Sequence, residues 1–153
     1  MGASYDYFRA AGDQSARQAA DPPGGPSATA ASGLVETTWV EPTVRVGKLF
    51  ARVTDRDWTP RAVALIQVSP DEPIGPDNWE TPTVHRFDDV VRDALADVPL
   101  SDQDALGRWW AQTEEFVLDR AEPEQVRRLC VALLDLCRKA ARHDESVYVW
   151  SSL

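Results

Sequence analysis

Between Pro123 and Arg142, apolar residues recur at Val126, Leu129, Cys130, Leu133, Leu136, Cys137, Ala140 and Ala141. Spacings of three and four place them on one face of an α-helix and do not fit the alternation of a strand. Pro123 suits the first helical position, where its missing N–H costs nothing. Glu124 lies in the positively polarised first turn, and Arg138, Lys139, Arg142 and His143 crowd the negative last turn. No other stretch of the chain is as regular.

The preceding stretch predicts a second helix. Ser101 is placed to cap it, and Asp104 stands where a capping box has Glu or Gln. Leu106, Trp109, Trp110, Phe116 and Val117, with Ala105 and Thr113, form its stripe, and Pro123 forces an exit near Leu118. A short connection between two such helices favours an antiparallel hairpin.

Shorter elements come before this pair. Ser4–Phe8 reads as a strand, and Asp13 is placed to cap a brief helix over Gln14–Ala20. Leu34–Val40 alternates as a half-buried strand. Pro42 opens a helix with Val46, Leu49, Phe50 and Val53 inward, in which Gly47 allows another backbone to approach. A Thr59–Pro60 cap favours a short helix through Ala62–Ile66, while the β-branched content of Val63–Val68 favours a strand, so both readings stay open. Thr83–Phe87 reads as a strand, and Asp88 caps a helix with Val90, Val91, Ala94, Leu95 and Val98 inward. Ser146–Trp150 alternates as a last strand, which needs pairing to persist at a terminus. Residues 21–33 and 69–82 are Pro/Gly-rich and read as exposed loops. The expectation is a single α+β domain over residues 1–153. A small three- to four-stranded sheet would be packed by several helices, ending in a C-terminal helical hairpin and strand.

The chain has 153 residues and a formal net charge of −9, which argues against nucleic acid and anionic membrane as partners. No apolar run approaches ~20 residues, the length of a membrane-spanning helix. Met1–Ala10 lacks the basic start and apolar run of a signal peptide. Cys130 and Cys137, seven apart on one helix, are separated by roughly 10 Å, too far for a disulfide. They read as core residues, which fits a reducing cytoplasm. Arg outnumbers Lys by fourteen to two, a bias that fits a GC-rich genome better than a function. Residues 71–115 hold 12 of the 25 acids against three bases, and the remainder balances at 13 and 13. One third of the chain therefore carries the whole charge imbalance.

Catalytic motifs are few. There is no nucleophile elbow, phosphate-binding loop or dinucleotide fingerprint, and no paired metal-ligand spacing, so no cofactor or metal is implied. Glu114 and Glu115 point about 100° apart on a helix, which does not suit an acid–base pair. One of them beside tryptophan would have a raised pKa and be a candidate base; a solvated helix end is the simpler account. Among the six tryptophans, Trp58 and Trp79 lie in polar, Pro-rich surroundings and are the candidates for ligand binding. Asp89, Asp93 and Asp97, spaced by four, present an acidic face for a basic partner, with Glu114 and Glu115 as possible extensions; a merely solubilising surface is the competing account.

The segments Tyr7–Ala11, Pro23–Pro26, Asp93–Ala96, Trp110–Phe116 and Tyr148–Trp150 resemble a small uncharacterised actinobacterial protein family with no known activity. That resemblance implies no site. Two functions remain in view. One is a non-catalytic acidic protein-binding module, such as an inhibitor or immunity-type protein that neutralises a basic partner. The other is a small-ligand-binding protein or enzyme with a cleft between Trp58, Trp79 and the Glu114 helix.

Overall fold

The computed structural model describes residues 2–29 and 33–153. Five strands form one antiparallel sheet: β1 (Ser4–Ala10), β2 (Val35–Thr37), β3 (Leu65–Ser69), β4 (Thr83–Phe87) and β5 (Ser146–Ser152). Their order is β2-β1-β5-β4-β3. The C-terminal strand is therefore central, paired from Ser4–Ser152 to Ala10–Ser146 on one side and with β4 on the other. The sheet exceeds the expected three to four strands because residues 65–69 are a strand. The Thr59–Pro60 cap opens no helix, since pairing with β4 satisfies the β-branched segment.

Alternation along the strands sends side chains to two unequal layers. Tyr7, Phe87, Val147 and Val149 join the larger core. Over that face lie α2 (Gly47–Val53), α3 (Asp89–Ala96), α4 (Gln103–Ala111), α5 (Glu114–Leu118) and α6 (Pro123–Arg142). Phe8, Val84 and Tyr148 face the other way, under Ala16 of α1 (Asp13–Ala20). Asp13 does not cap α1: it is the helix's first residue, and its carboxylate accepts from the Tyr148 hydroxyl at 2.9 Å.

Helix α6 matches its sequence pattern, with Val126, Cys130, Leu133, Leu136, Cys137 and Ala140 buried. Leu134 is buried too, whereas Ala141 is exposed. The helix expected over 101–118 is broken. Thr113 directs both its N–H and its hydroxyl back to the Trp110 carbonyl, and the chain restarts as α5. This break lets Phe116 meet Trp110 edge-on at 4.9 Å and leaves Val117 exposed. Ser101 falls within a short turn, Leu100–Asp102, rather than capping α4. Asp88 does cap α3 through the Val90 N–H at 2.8 Å, but the Val90 side chain is 64% exposed because that position faces away from α6 and the sheet.

The Pro/Gly-rich segment 21–33 is less exposed than its composition suggests. Gly25 and Pro26 are buried in the turn Gly25–Ser27; residues 30–32 lie outside the described residues. Segment 70–82 is irregular and mostly exposed. No helix is long and apolar enough to cross a membrane among the described residues.

Candidate functional site

The approach to α2 is set by Glu41, whose carboxylate accepts from the N–H groups of Thr43, Val44 and Arg45 at the start of a wide turn, Pro42–Val46. Such a cap satisfies donors that a helix start leaves free. Past α2 the chain doubles back, and Trp58 donates from Nε1 to the Thr43 carbonyl at 3.1 Å. Gly47 makes room for this ring rather than for another backbone: a Cβ there would lie 2.8 Å from Trp58 Nε1.

Across from α2, α4 presents Trp109. The Arg52 guanidinium lies 5.0 Å from the Trp109 ring centroid, a cation–π contact joining the two helices. Both residues line two recesses, one of about 540 Å³ and one of about 480 Å³. The larger lies between α2, α3 and α4, with Val53, Ala94, Val98 and Leu106 as apolar lining and Asp97 and Asp102 as its carboxylates. The smaller is lined by Lys48, Arg56, Trp58 and Glu114, among others. Together they form one groove divided by the Arg52–Trp109 contact.

The groove separates acids that look equivalent in the sequence. Asp89 and Asp93 both pair with Arg92, at 3.5 and 2.9 Å, and Asp89 also accepts from the Ser146 hydroxyl. Arg92 in turn donates to the Glu145 carbonyl at 2.7 Å, so this cluster fastens α3 to the turn before β5. Asp104 is held by Arg127 at 2.8 Å. Asp97 and Asp102 enter no ion pair among the described residues. Of the acidic face expected on α3, only Asp97 reaches the groove.

Glu114 and Glu115 part company as their 100° offset requires. Glu114 is exposed and lines the smaller recess, whereas Glu115 pairs with Lys48. Burial pushes the Glu115 carboxyl up. The Lys48 hydrogen bond, its own backbone N–H and the charges of Lys48 and Arg45 outweigh that and hold it below the ordinary range. A candidate base beside tryptophan needs the opposite shift, so Glu115 is not one. The two candidate tryptophans are not brought together either. Trp58 lines the smaller recess, while Trp79 is 56% exposed and lines neither.

Sequence reasoning missed Arg52, Leu106, Trp109 and Asp102 as site residues. Leu106 and Trp109 were visible only as part of an apolar stripe. Arg52 carried no signal, because its role depends on α2 and α4 meeting. Burial pushes the Cys130 and Cys137 thiols up to about 12, so both stay protonated at neutral pH and are poor nucleophiles. No group of three or more metal-ligating side chains converges among the described residues. No family model, curated protein or solved structure matches the chain.

Proposed function

We propose that the protein is a binding module, of the inhibitor type, for a basic partner protein, and that the groove between α2, α3 and α4 receives a positively charged segment of that partner. The supporting observation is the pair Asp97 and Asp102, which form no ion pair among the described residues, in a recess lined also by Leu106, Trp109 and Arg52. Apolar lining supplies contact area, and aromatic anchors commonly dominate binding energy. Unpaired carboxylates beside it favour cations and speed encounter. That all of the chain's excess acidity falls in residues 71–115, which include α3 and α4, supports the same reading. The actinobacterial resemblance adds no activity to it.

The test is capture of partners by the tagged full chain from an extract of its source cells. It is run at about 0.1 M and about 1 M salt, over which the screening length falls from about 10 Å to about 3 Å. The reading expects a stoichiometric basic protein at the lower salt, lost at the higher and lost with Asp97→Lys/Asp102→Lys. A partner indifferent to both salt and substitution refutes it.

A second reading, a small-ligand site in the smaller recess, is favoured by the meeting of Trp58, Trp109 and Glu114 there. It expects metabolites that raise the melting temperature of the native chain but not of Trp58→Ala.

A further inference from the structure

The register of β1 and β2 sets Asp6 directly opposite Glu36, and pairing with β5 sets Trp150 on the other side of Asp6. Directly opposed like charges destabilise a sheet, and their Cβ atoms stand only about 4.5–5.5 Å apart. Asp6 is 7% exposed, and no side chain among the described residues forms an ion pair with either carboxylate. Burial first, and then Glu36, hold the Asp6 carboxyl above its ordinary range, with the Thr37 backbone N–H opposing them in part. A carboxylate this buried is costly unless a cation or donor meets it.

These two residues open into a recess of about 480 Å³ at the β2 edge, distinct from the α2–α4 groove; Trp150 is its wall on the Asp6 face, Trp39 borders it from the larger core across that edge, and Ser4 and Gln125 lie at its margin. The Trp150 wall is tightly seated. Gly25 has φ +62°, and a Cβ there would lie 2.5 Å from the indole. The recess thus combines two facing carboxylates, one of them buried, with an indole face.

We propose that this recess binds a guanidinium group, with Asp6 and Glu36 as its paired acceptors and Trp150 as its aromatic wall. A planar guanidinium offers five donors, enough to bridge two carboxylates, and it sheds water more readily than an ammonium. Calcium takes six to eight oxygen ligands, more than this pair of carboxylates supplies. The group belongs to free arginine or to an arginine in a polypeptide. Both present the same chemistry at this site.

The experiment titrates the full chain with acetyl-arginine amide, L-arginine, acetyl-lysine amide and calcium chloride, followed by calorimetry and tryptophan fluorescence. Acetyl-arginine amide is expected to bind at least ~fivefold more tightly than acetyl-lysine amide, and Asp6→Asn or Glu36→Gln to weaken it about tenfold each, the loss of one charge-assisted hydrogen bond. Both variants should melt no lower than the native chain, because each removes a repulsion. Tighter binding of L-arginine identifies the free amino acid, and tighter binding of the capped form identifies a polypeptide. Saturation by none of the probes, preference for calcium or lysine, or unchanged arginine binding in both variants overturns the proposal. Glu36 is exposed, so Glu36→Gln carries the test if Asp6→Asn misfolds. Substitution of Asp97 and Asp102 should leave arginine binding intact, so failure here and failure of the groove are separate results.

Discussion

Trp109 and Trp110 are neighbours in sequence and belong to different parts of the molecule. Trp110 is fully buried, donates from Nε1 to the Arg45 carbonyl at 2.8 Å and meets Phe116 edge-on. It ties the wide turn before α2 to α4 and α5. Trp109, rotated about 100° along the helix, is half-buried under Arg52 and lines both recesses of the groove. The first ring is satisfied on every side by the protein itself. The second has surface to offer. The acids divide in the same way: Asp89 and Asp93 are spent on Arg92, whereas Asp97 and Asp102 are not. Exposure alone does not make a side chain available to a partner; the absence of an internal contact does.

This division is most severely tested by truncating the two rings. Trp110→Ala should cost about 3–5 kcal/mol of stability, typical of a large buried aromatic, read as a drop in denaturation midpoint. Should it cost less than Trp109→Ala, the assignment of hub and groove is reversed. Trp109→Ala should cost under ~2 kcal/mol of stability yet weaken partner affinity at least ~30-fold, the size of an interface hot spot. Among the acids, Asp97→Asn with Asp102→Asn should slow association about tenfold at low salt. Asp89→Asn with Asp93→Asn should change it less than about threefold while lowering the melting temperature. Equal kinetic effects of the two pairs would erase the distinction between paired and unpaired acids.

The smallest effect concerns pH. Glu115 is held below its ordinary value of 4.5. Its contribution to stability is therefore complete above that value, where the unfolded chain also ionises, and is lost as pH falls through the lower folded-state value. Lys48→Met should remove this dependence. The melting difference between native chain and variant should shrink in acid, and one that grows instead would contradict the sign.

Much of the fold was legible because it rests on local pattern. The α6 stripe, the Asp88 cap and the Thr83–Phe87 strand follow from periodicity and capping chemistry, and each forms where the pattern places it. Residues 62–68 were ambiguous because their state depends on pairing with β4, a partner some twenty residues away. The break at Thr113 was hidden because a side chain folding back on the Trp110 carbonyl leaves helical spacing almost unchanged. The groove was legible only in fragments. Asp97 and Glu114 were marked by charge and Trp58 by its polar surroundings, but that Lys48 meets Glu115 rather than Glu114, and that Arg52 covers Trp109, follows from tertiary packing.

The most direct measurement is photo-crosslinking of the full chain in an extract of its source cells, with the photoreactive side chain placed at position 106 in the groove or at position 90 on the exposed side of α3. Position 106 should give one dominant adduct to a basic protein, suppressed by about 1 M salt, and position 90 none of comparable yield. Adducts from position 90 alone, or a groove adduct that persists at high salt, would contradict it.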